Sequence, residues 1–180
     1  MKALVVGQGG REHALVRALR SSASVTEVHA IPGSDGMSRI ARCHPAISWE
    51  KFDDVNALIR REGIDLVVIG PEIPLAGGLS DALRAQGVAV FGPSAEAALL
   101  ESSKVFSKEF MIEAGVPTAR SEVVASVEDV RRAATHYVPP YVLKADGLAA
   151  GKGVVICKTM EELEAASSAG PKAMPAAALS

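Results

Sequence analysis

An open, doubly wound α/β domain is predicted for residues 1–100, and three observations predict it. Short apolar runs at 3–6, 28–31, 64–69 and 88–91 each stop at a glycine-bearing turn. Helical spacing of apolar residues fills the stretches between several of these runs. The run 64–69 is apolar on both faces apart from Asp65, as strands of a parallel sheet covered on both sides are. Strands alternating with helices require right-handed crossovers and a parallel sheet.

The elements follow in order. Residues 3–6 lead into Gly7-Gln8-Gly9-Gly10, after which Ala14, Leu15, Ala18 and Leu19 mark a helix. The run 28–31 ends at Pro32-Gly33. Asp53 caps a helix carrying Val55, Leu58 and Ile59, and Gly63 ends it. The run 64–69 ends at Gly70-Pro71-Glu72. Leu79, Ala82 and Leu83 mark a helix stopped by Gly87, and 88–91 reads as another buried strand before Gly92-Pro93.

The rhythm then changes to α+β. Ser102 or Ser103 caps a helix with Val105, Phe106, Phe110 and Met111, and Gly115 ends it. Residues 122–125 form a strand, and Ser126 opens a helix with Val127, Val130 and Ala134. A strand at 141–145 runs into the loop from Asp146 to Gly153 and returns at 154–157. Thr159 and Glu162 fit a capping box for a helix bearing Leu163 and Ala166. Residues 169–180 contain two prolines and no periodicity, and read as a disordered tail.

Composition excludes several classes of function. The 180 residues are 48% apolar, and 19 basic side chains nearly cancel 21 acidic ones, leaving a net charge of −2. No broad basic field is available for nonspecific nucleic-acid binding. Aromatics at 4% disfavour a base-stacking platform. Cys43 and Cys157 lack metal-ligand spacing and suit a reduced, cytoplasmic setting. The N-terminus does not read as a signal peptide, and no apolar run of about 18 residues spans a membrane. His13, His29, His44 and His136 are scattered, so no metal cluster is expected, and no GxSxG elbow is present.

Two stretches carry chemistry. Gly7-Gln8-Gly9-Gly10 follows a strand and opens a helix, where backbone N–H groups and the helix dipole suit a phosphate. Arg11 can add a bidentate clamp. The third glycine of a dinucleotide fingerprint falls at Glu12, and Pro32-Gly33 supplies no acidic residue for an adenine ribose. A phosphate or phosphosugar therefore fits better than a dinucleotide; the same turn can also serve helix–sheet packing alone. Glu72 can bind sugar hydroxyls or an amine, or cap the next helix. The turns 7–10, 33–36 and 70–72 should converge at one sheet edge.

In the second stretch, Lys144 interrupts an apolar strand and calls for an anion. Lys104, near a helix start, opposes the dipole and points the same way; it reads equally well as a solvated lysine. Gly147, Gly151, Lys152 and Gly153 form a loop able to cover a polyphosphate, or an ordinary mobile hairpin loop. It is not a P-loop, since it joins two strands and lacks the required spacing.

Together GQGGREHAL, DLVVIGPEIPLAGGLSDALRAQG, FGPS, AALLESSKVFSKEFMIEAGVPTA and VLKADGLAAGKGVVI closely resemble the phosphoribosylamine–glycine ligase family, also called glycinamide ribonucleotide synthetase, of the ATP-grasp superfamily. The resemblance runs from residue 1 to about residue 164. It implies a phosphoribosyl-binding domain at 1–100 and the first part of an ATP-grasp domain at 101–168. It also implies ATP-dependent ligation of glycine to 5-phosphoribosylamine through a glycyl phosphate, in purine biosynthesis, with magnesium or manganese. By position, Gly9, Gly10, Arg11 and Glu72 match the phosphoribosyl crevice. Lys104, Lys144 and the glycine-rich loop match the ATP phosphate site. Family members are usually monomeric, and their partners are small molecules. They are also much longer, and the metal ligands and much of the glycine site belong to the part absent here. No catalytic or metal-ligating residue is therefore assigned, and the 180-residue chain is expected to be inactive alone. Two alternatives are a noncatalytic phosphosugar- or nucleotide-binding module and an NAD-binding domain, the latter opposed by Glu12.

Overall fold

Strand β1 (Lys2–Gly7) sits at the centre of a five-stranded parallel sheet. On one side lie β2 (Glu27–Pro32) and β3 (Arg42–Cys43); on the other lie β4 (Leu66–Ile69) and β5 (Ala89–Phe91). The order is β3-β2-β1-β4-β5, and every ladder is parallel. The computed structural model describes residues 1–149, 153–169 and 177–179. It divides into two units, Met1–Ala98 and Leu99–Ser180.

Period-two alternation sends β1 side chains to both faces. Leu4 and Val6 pack with Ile31, Val67 and Ile69 against Val55, Leu58 and Ile59 of α2 (Phe52–Glu62), Leu75 of α3 (Glu72–Ala76) and Leu79 and Leu83 of α4 (Leu79–Ala85). Ala3 and Val5 pack with Ala30 and Val68 against Val16 of α1 (Gly10–Ser21). Helices on both faces make the sheet doubly wound, as the apolar run 64–69 predicts. Leu4, Leu58 and Leu83 are fully buried; each such side chain contributes about 1.5–3 kcal/mol through removal from water.

Local differences from the sequence reading have physical reasons. Gly63 does end α2, with a positive φ of 67°. Asp53 does not cap it: the cap position is Lys51, and Asp53 lies in the first turn, where its charge still favours the dipole. Strand β5 is at the sheet edge, so Phe91 is 68% exposed rather than buried. Strand β3 has only two residues, too short for a periodic signal. Helix α5 (Ala95–Ser102) escaped the pattern because Ala97, Ala98, Leu99 and Leu100 are consecutive rather than spaced by turns.

The second unit contains a four-stranded antiparallel sheet in the order β6-β9-β7-β8. Its strands are β6 (Glu122–Val124), β7 (Tyr141–Ala145), β8 (Val154–Cys157) and β9 (Ala177–Leu179). Val124, Tyr141, Leu143 and Cys157 pack on Val130, Ala133 and Ala134 of α7 (Val127–Ala134) and Leu163 of α8 (Met160–Ala169). Ser126 caps α7 through the Asp129 N–H, as expected. At the start of α8, Thr159 Oγ1 accepts from the Glu162 N–H, while the Glu162 carboxylate reaches back to the Lys158 N–H.

Residues 169–180 were expected to lack order. Ala177–Leu179 instead pairs with both β6 and β7, where its backbone supplies ladder partners to two strands at once. Residues 170–176 and Ser180 lie outside the described residues. Helix α6 (Lys104–Glu113) forms as predicted, with Ser103 as its cap, but none of its residues is buried. Its Phe106 and Phe110 rings stack on each other. Among the described residues, no helix is long and apolar enough to cross a membrane.

Candidate functional site

The carboxyl ends of β1 and β4 are adjacent, and connections leave them toward opposite sides of the sheet. Such a switch point is where open α/β sheets bind ligands. Three consecutive residues in the first turn of α1 together reach all three strand-end turns. The Arg11 guanidinium donates to the Glu72 carboxylate at 3.0 Å. Glu12 fills the space beside Gly7 and Gly70, where added Cβ atoms would stand 2.3 and 2.4 Å from its Cγ. The His13 ring lies 3.1 Å from the Cβ position of Gly36. The turns 7–10, 33–36 and 70–72 thus gather around one helix start.

Glu12 is the residue the sequence reading undervalued. The residue is 4% exposed, and its Oε2 accepts the Gly9 N–H at 2.8 Å. This is the reciprocal half of a capping box, with glutamate at the third helical position reaching back to the cap. That spacing was visible as Gly9 followed by Glu12. Its Oε1 is buried without a hydrogen bond, with Arg11 Nε at 3.7 Å. Gly9 therefore does not offer its N–H to a ligand while Glu12 is in place.

Glu72 starts α3, and its carboxyl is held below the usual carboxylate range by its own backbone N–H and then by Arg11. The two readings of Glu72, helix start and ligand contact, are compatible, since 40% of its side chain is exposed. A depression of about 600 Å³ lies elsewhere, along Arg17, Ala18, Arg20, Ser21 and Ile40, and brings together none of the turn residues.

The second constellation lies within the Leu99–Ser180 unit. Lys104 and Lys108 are one turn apart on α6 and share a face. Lys104 Nζ donates to the Gly147 carbonyl at 2.8 Å, and Lys108 Nζ to Thr118 Oγ1 and the Ala119 carbonyl, each at 2.6 Å. Burial, and then the nearby Lys144 charge, push the Lys108 ammonium below its ordinary pKa. Lys144 is half-buried on the sheet face opposite α7 and α8. Among the described residues it has no carboxylate partner. Two of these ammonium groups, Lys104 and Lys108, are held by carbonyls and a hydroxyl, and none of the three is paired with a carboxylate among the described residues, so the arrangement can seat a multiply charged anion.

Asp146 organises this seat. Its carboxylate accepts from Ser103 Oγ at 3.2 Å and from the N–H groups of Lys104 and Val105. The loop after β7 is thereby tied to the start of α6. Gly147, with φ of 96°, makes the turn a side chain would strain. The Gly153 carbonyl accepts the Ala145 N–H at 2.7 Å and closes the base of the loop. Gly151 and Lys152 lie outside the described residues. Lys108 and Asp146 were not singled out from sequence; Lys108 was detectable as the i+4 neighbour of Lys104, Asp146 only through the fold.

The histidines are less scattered than they read. His29 Nδ1 and His44 Nε2 are 3.0 Å apart, and the rings stack. Among the described residues, no three His, Cys, Asp or Glu side chains group to hold a metal. The described residues therefore do not fit a divalent cation as protein ligands.

A doubly wound switch-point domain followed by an antiparallel sheet with a lysine seat defines an ATP-grasp type of chain. The family model "Phosphoribosylglycinamide synthetase, N domain" matches residues 1–101, and "Phosphoribosylglycinamide synthetase, ATP-grasp (A) domain" matches 102–171. The chain belongs to the phosphoribosylglycinamide synthetase family. It is 48% identical over 169 residues to a phosphoribosylamine–glycine ligase of Streptomyces coelicolor, covering 94% of this chain and 40% of that one. The solved phosphoribosylamine–glycine ligase of Thermotoga maritima is 35% identical with a TM-score of 0.78, over 99% of this chain and 43% of that one. The biotin carboxylase domain of Hydrogenobacter thermophilus 2-oxoglutarate carboxylase, solved with MgADP, ADP and bicarbonate, shares the fold at 22% identity and a TM-score of 0.75, over 99% of this chain and 43% of that one. The chain spans about 40% of the length of the curated relatives it matches.

Proposed function

We propose that this chain contributes the phosphosugar crevice and part of the ATP site for ligation of glycine to 5-phosphoribosylamine. The observation that carries the reading is the trio Lys104, Lys108 and Lys144, none of whose ammonium groups is paired with a carboxylate among the described residues, in a chain whose other unit holds Arg11 and Glu72 at a switch point. Residues 1–100 serve as the phosphoribosyl domain and 101–168 as the partial ATP-grasp domain. In the crevice, the N–H groups of Gly10 and Arg11 and the Arg11 guanidinium receive the 5-phosphate. Glu72 accepts hydrogen bonds from ribose hydroxyls or the amine. Gly9 shapes the turn but keeps its N–H on Glu12.

The reaction proceeds in two balanced steps. A glycine carboxylate oxygen attacks the γ-phosphorus of ATP, and ADP leaves with the electron pair of the broken P–O bond. The amine of 5-phosphoribosylamine then attacks the glycyl phosphate carbonyl, expelling phosphate, and the amine proton passes to solvent or base. Lys104 and Lys144 neutralise phosphate oxygens. Magnesium or manganese, when bound, would neutralise further phosphate charge. The setting is cytoplasmic, with small-molecule partners only, and the family is usually monomeric. Complete turnover needs more of the cleft than these residues supply.

Calorimetric titration of the 180-residue chain with glycinamide ribonucleotide tests this, with NAD as control. Saturable binding of the ribonucleotide and none of NAD is expected. Binding of NAD alone overturns the reading in favour of a dinucleotide domain, and binding of neither leaves the crevice without its proposed ligand. Glycine-dependent ATP turnover by these 180 residues alone would overturn the reading that they contribute only part of the ATP site.

A further inference from the structure

Glu12 sits where a dinucleotide fingerprint places its third glycine, and Gly9 is the second, whose backbone approaches the pyrophosphate. The structure joins the two: Gly9 N–H donates to Glu12 Oε2 at 2.8 Å, and Glu12 is 4% exposed. Room for it is built from the bare backbones of Gly7 on β1 and Gly70 after β4, with Cβ positions 2.3 and 2.4 Å from Glu12 Cγ. Two neighbouring strands thus give up side chains at the switch point to seat one carboxylate. The other oxygen, Oε1, has no hydrogen bond.

We propose that Glu12 is the residue that sets the specificity of the crevice, admitting a single phosphate and rejecting a pyrophosphate. The mechanism has two parts. The carboxylate consumes the donor that a pyrophosphate would take from Gly9. It also fixes a negative charge at that amide, where a second phosphate would meet a like charge. The helix start beyond Gly9, with the exposed Arg11 guanidinium beside it, remains for one phosphate. This deepens the phosphosugar reading and rests on it for the identity of what is admitted; what is excluded is tested separately.

The test is calorimetry of the 180-residue chain with ribose 5-phosphate and with ADP-ribose, for wild type, Glu12→Gln and Glu12→Gly. Wild type is expected to bind ribose 5-phosphate and not ADP-ribose. Glu12→Gly frees the Gly9 N–H and removes the charge, and should gain at least about tenfold in ADP-ribose affinity, roughly 1.4 kcal/mol. Glu12→Gln keeps the volume and an acceptor for Gly9 while removing the charge, and should gain less. A folded Glu12→Gly variant with no gain overturns the proposal, as does wild-type binding of ADP-ribose. If Glu12→Gly does not unfold cooperatively, Glu12→Gln decides: some gain supports the proposal, and unchanged rejection overturns it. Failure of the phosphosugar reading shows instead in the ribose 5-phosphate arm of the wild type.

Discussion

The Arg11 guanidinium bonds the Glu72 carboxylate at 3.0 Å, joining the helix that follows β1 to the one that follows β4. Residues 61 positions apart in the chain thereby meet at the edge of the sheet. Because 71% and 40% of the two side chains are exposed, the pair itself adds little stability. Glu72→Gln should therefore shift unfolding by less than about 1 kcal/mol. The same variant should weaken ribonucleotide binding about tenfold, which calorimetry would read. Unchanged affinity would remove Glu72 from the crevice.

Gly70→Ala should destabilise the first unit by about 1–3 kcal/mol through overpacking against Glu12, measured by denaturant unfolding. Glu12→Ala in the same chain should relieve part of that cost, because the clash needs both partners. Additive costs in the double variant would show that the two sites do not touch.

Lys104→Ala and Lys144→Ala should each weaken ADP binding about tenfold, with a reduced dependence on salt. Lys108→Ala should also change the neighbours of Lys144, since those two charges already repel. Filter-binding or calorimetric titration over a salt series checks this. Equal affinities across the variants would place the nucleotide elsewhere.

Asp146→Ala should cost about 1–2 kcal/mol, the typical loss when a helix start loses its acceptor. It removes the acceptor shared by Ser103 Oγ and the N–H groups of Lys104 and Val105. Asp146→Asn keeps one oxygen and should lose less. Thermal unfolding of the two variants distinguishes the outcomes, and identical midpoints would contradict the cap.

Stability should fall as the medium becomes acidic. Burial holds the His29 and His44 imidazoles below their ordinary value of 6.5, against the opposing pull of Glu62 on both and of Glu27 on His29. Lys2 and Arg42 act with burial on His29, and His29, Arg42 and Arg61 act with it on His44. The folded chain keeps both rings neutral, so below about pH 6.5 the unfolded chain binds more protons. The stabilisation is complete above that value and is lost progressively as pH drops toward the lowered folded values. His44→Gln should flatten a plot of melting temperature between about pH 8 and about pH 5. An unchanged slope would assign the acid sensitivity to other groups.

Much of the strand–turn–helix order was legible because it is local. The apolar runs 3–6 and 64–69 report burial directly, and glycine turns report where strands stop. The same locality explains the misses. Two-residue β3 has no period to read, and the consecutive apolar residues of α5 hide its turns. The β9 pairing depends on β6 and β7 leaving a slot, which no window over 177–179 contains.

By itself the sequence determined a doubly wound parallel domain and a second α+β segment, and it marked Gly9, Gly10, Arg11, Glu72, Lys104 and Lys144 as candidates for a phosphosugar and nucleotide site. Only the tertiary structure decided how those groups are partnered. It put Glu12 on the Gly9 amide between two bare strand ends, Arg11 on Glu72, Asp146 on the start of α6, and His29 on His44. The physical reason is that periodicity says which side of an element is buried, whereas the register of the sheet decides what stands opposite. A charged side chain acquires its role from that opposite group, and a one-dimensional pattern does not contain it.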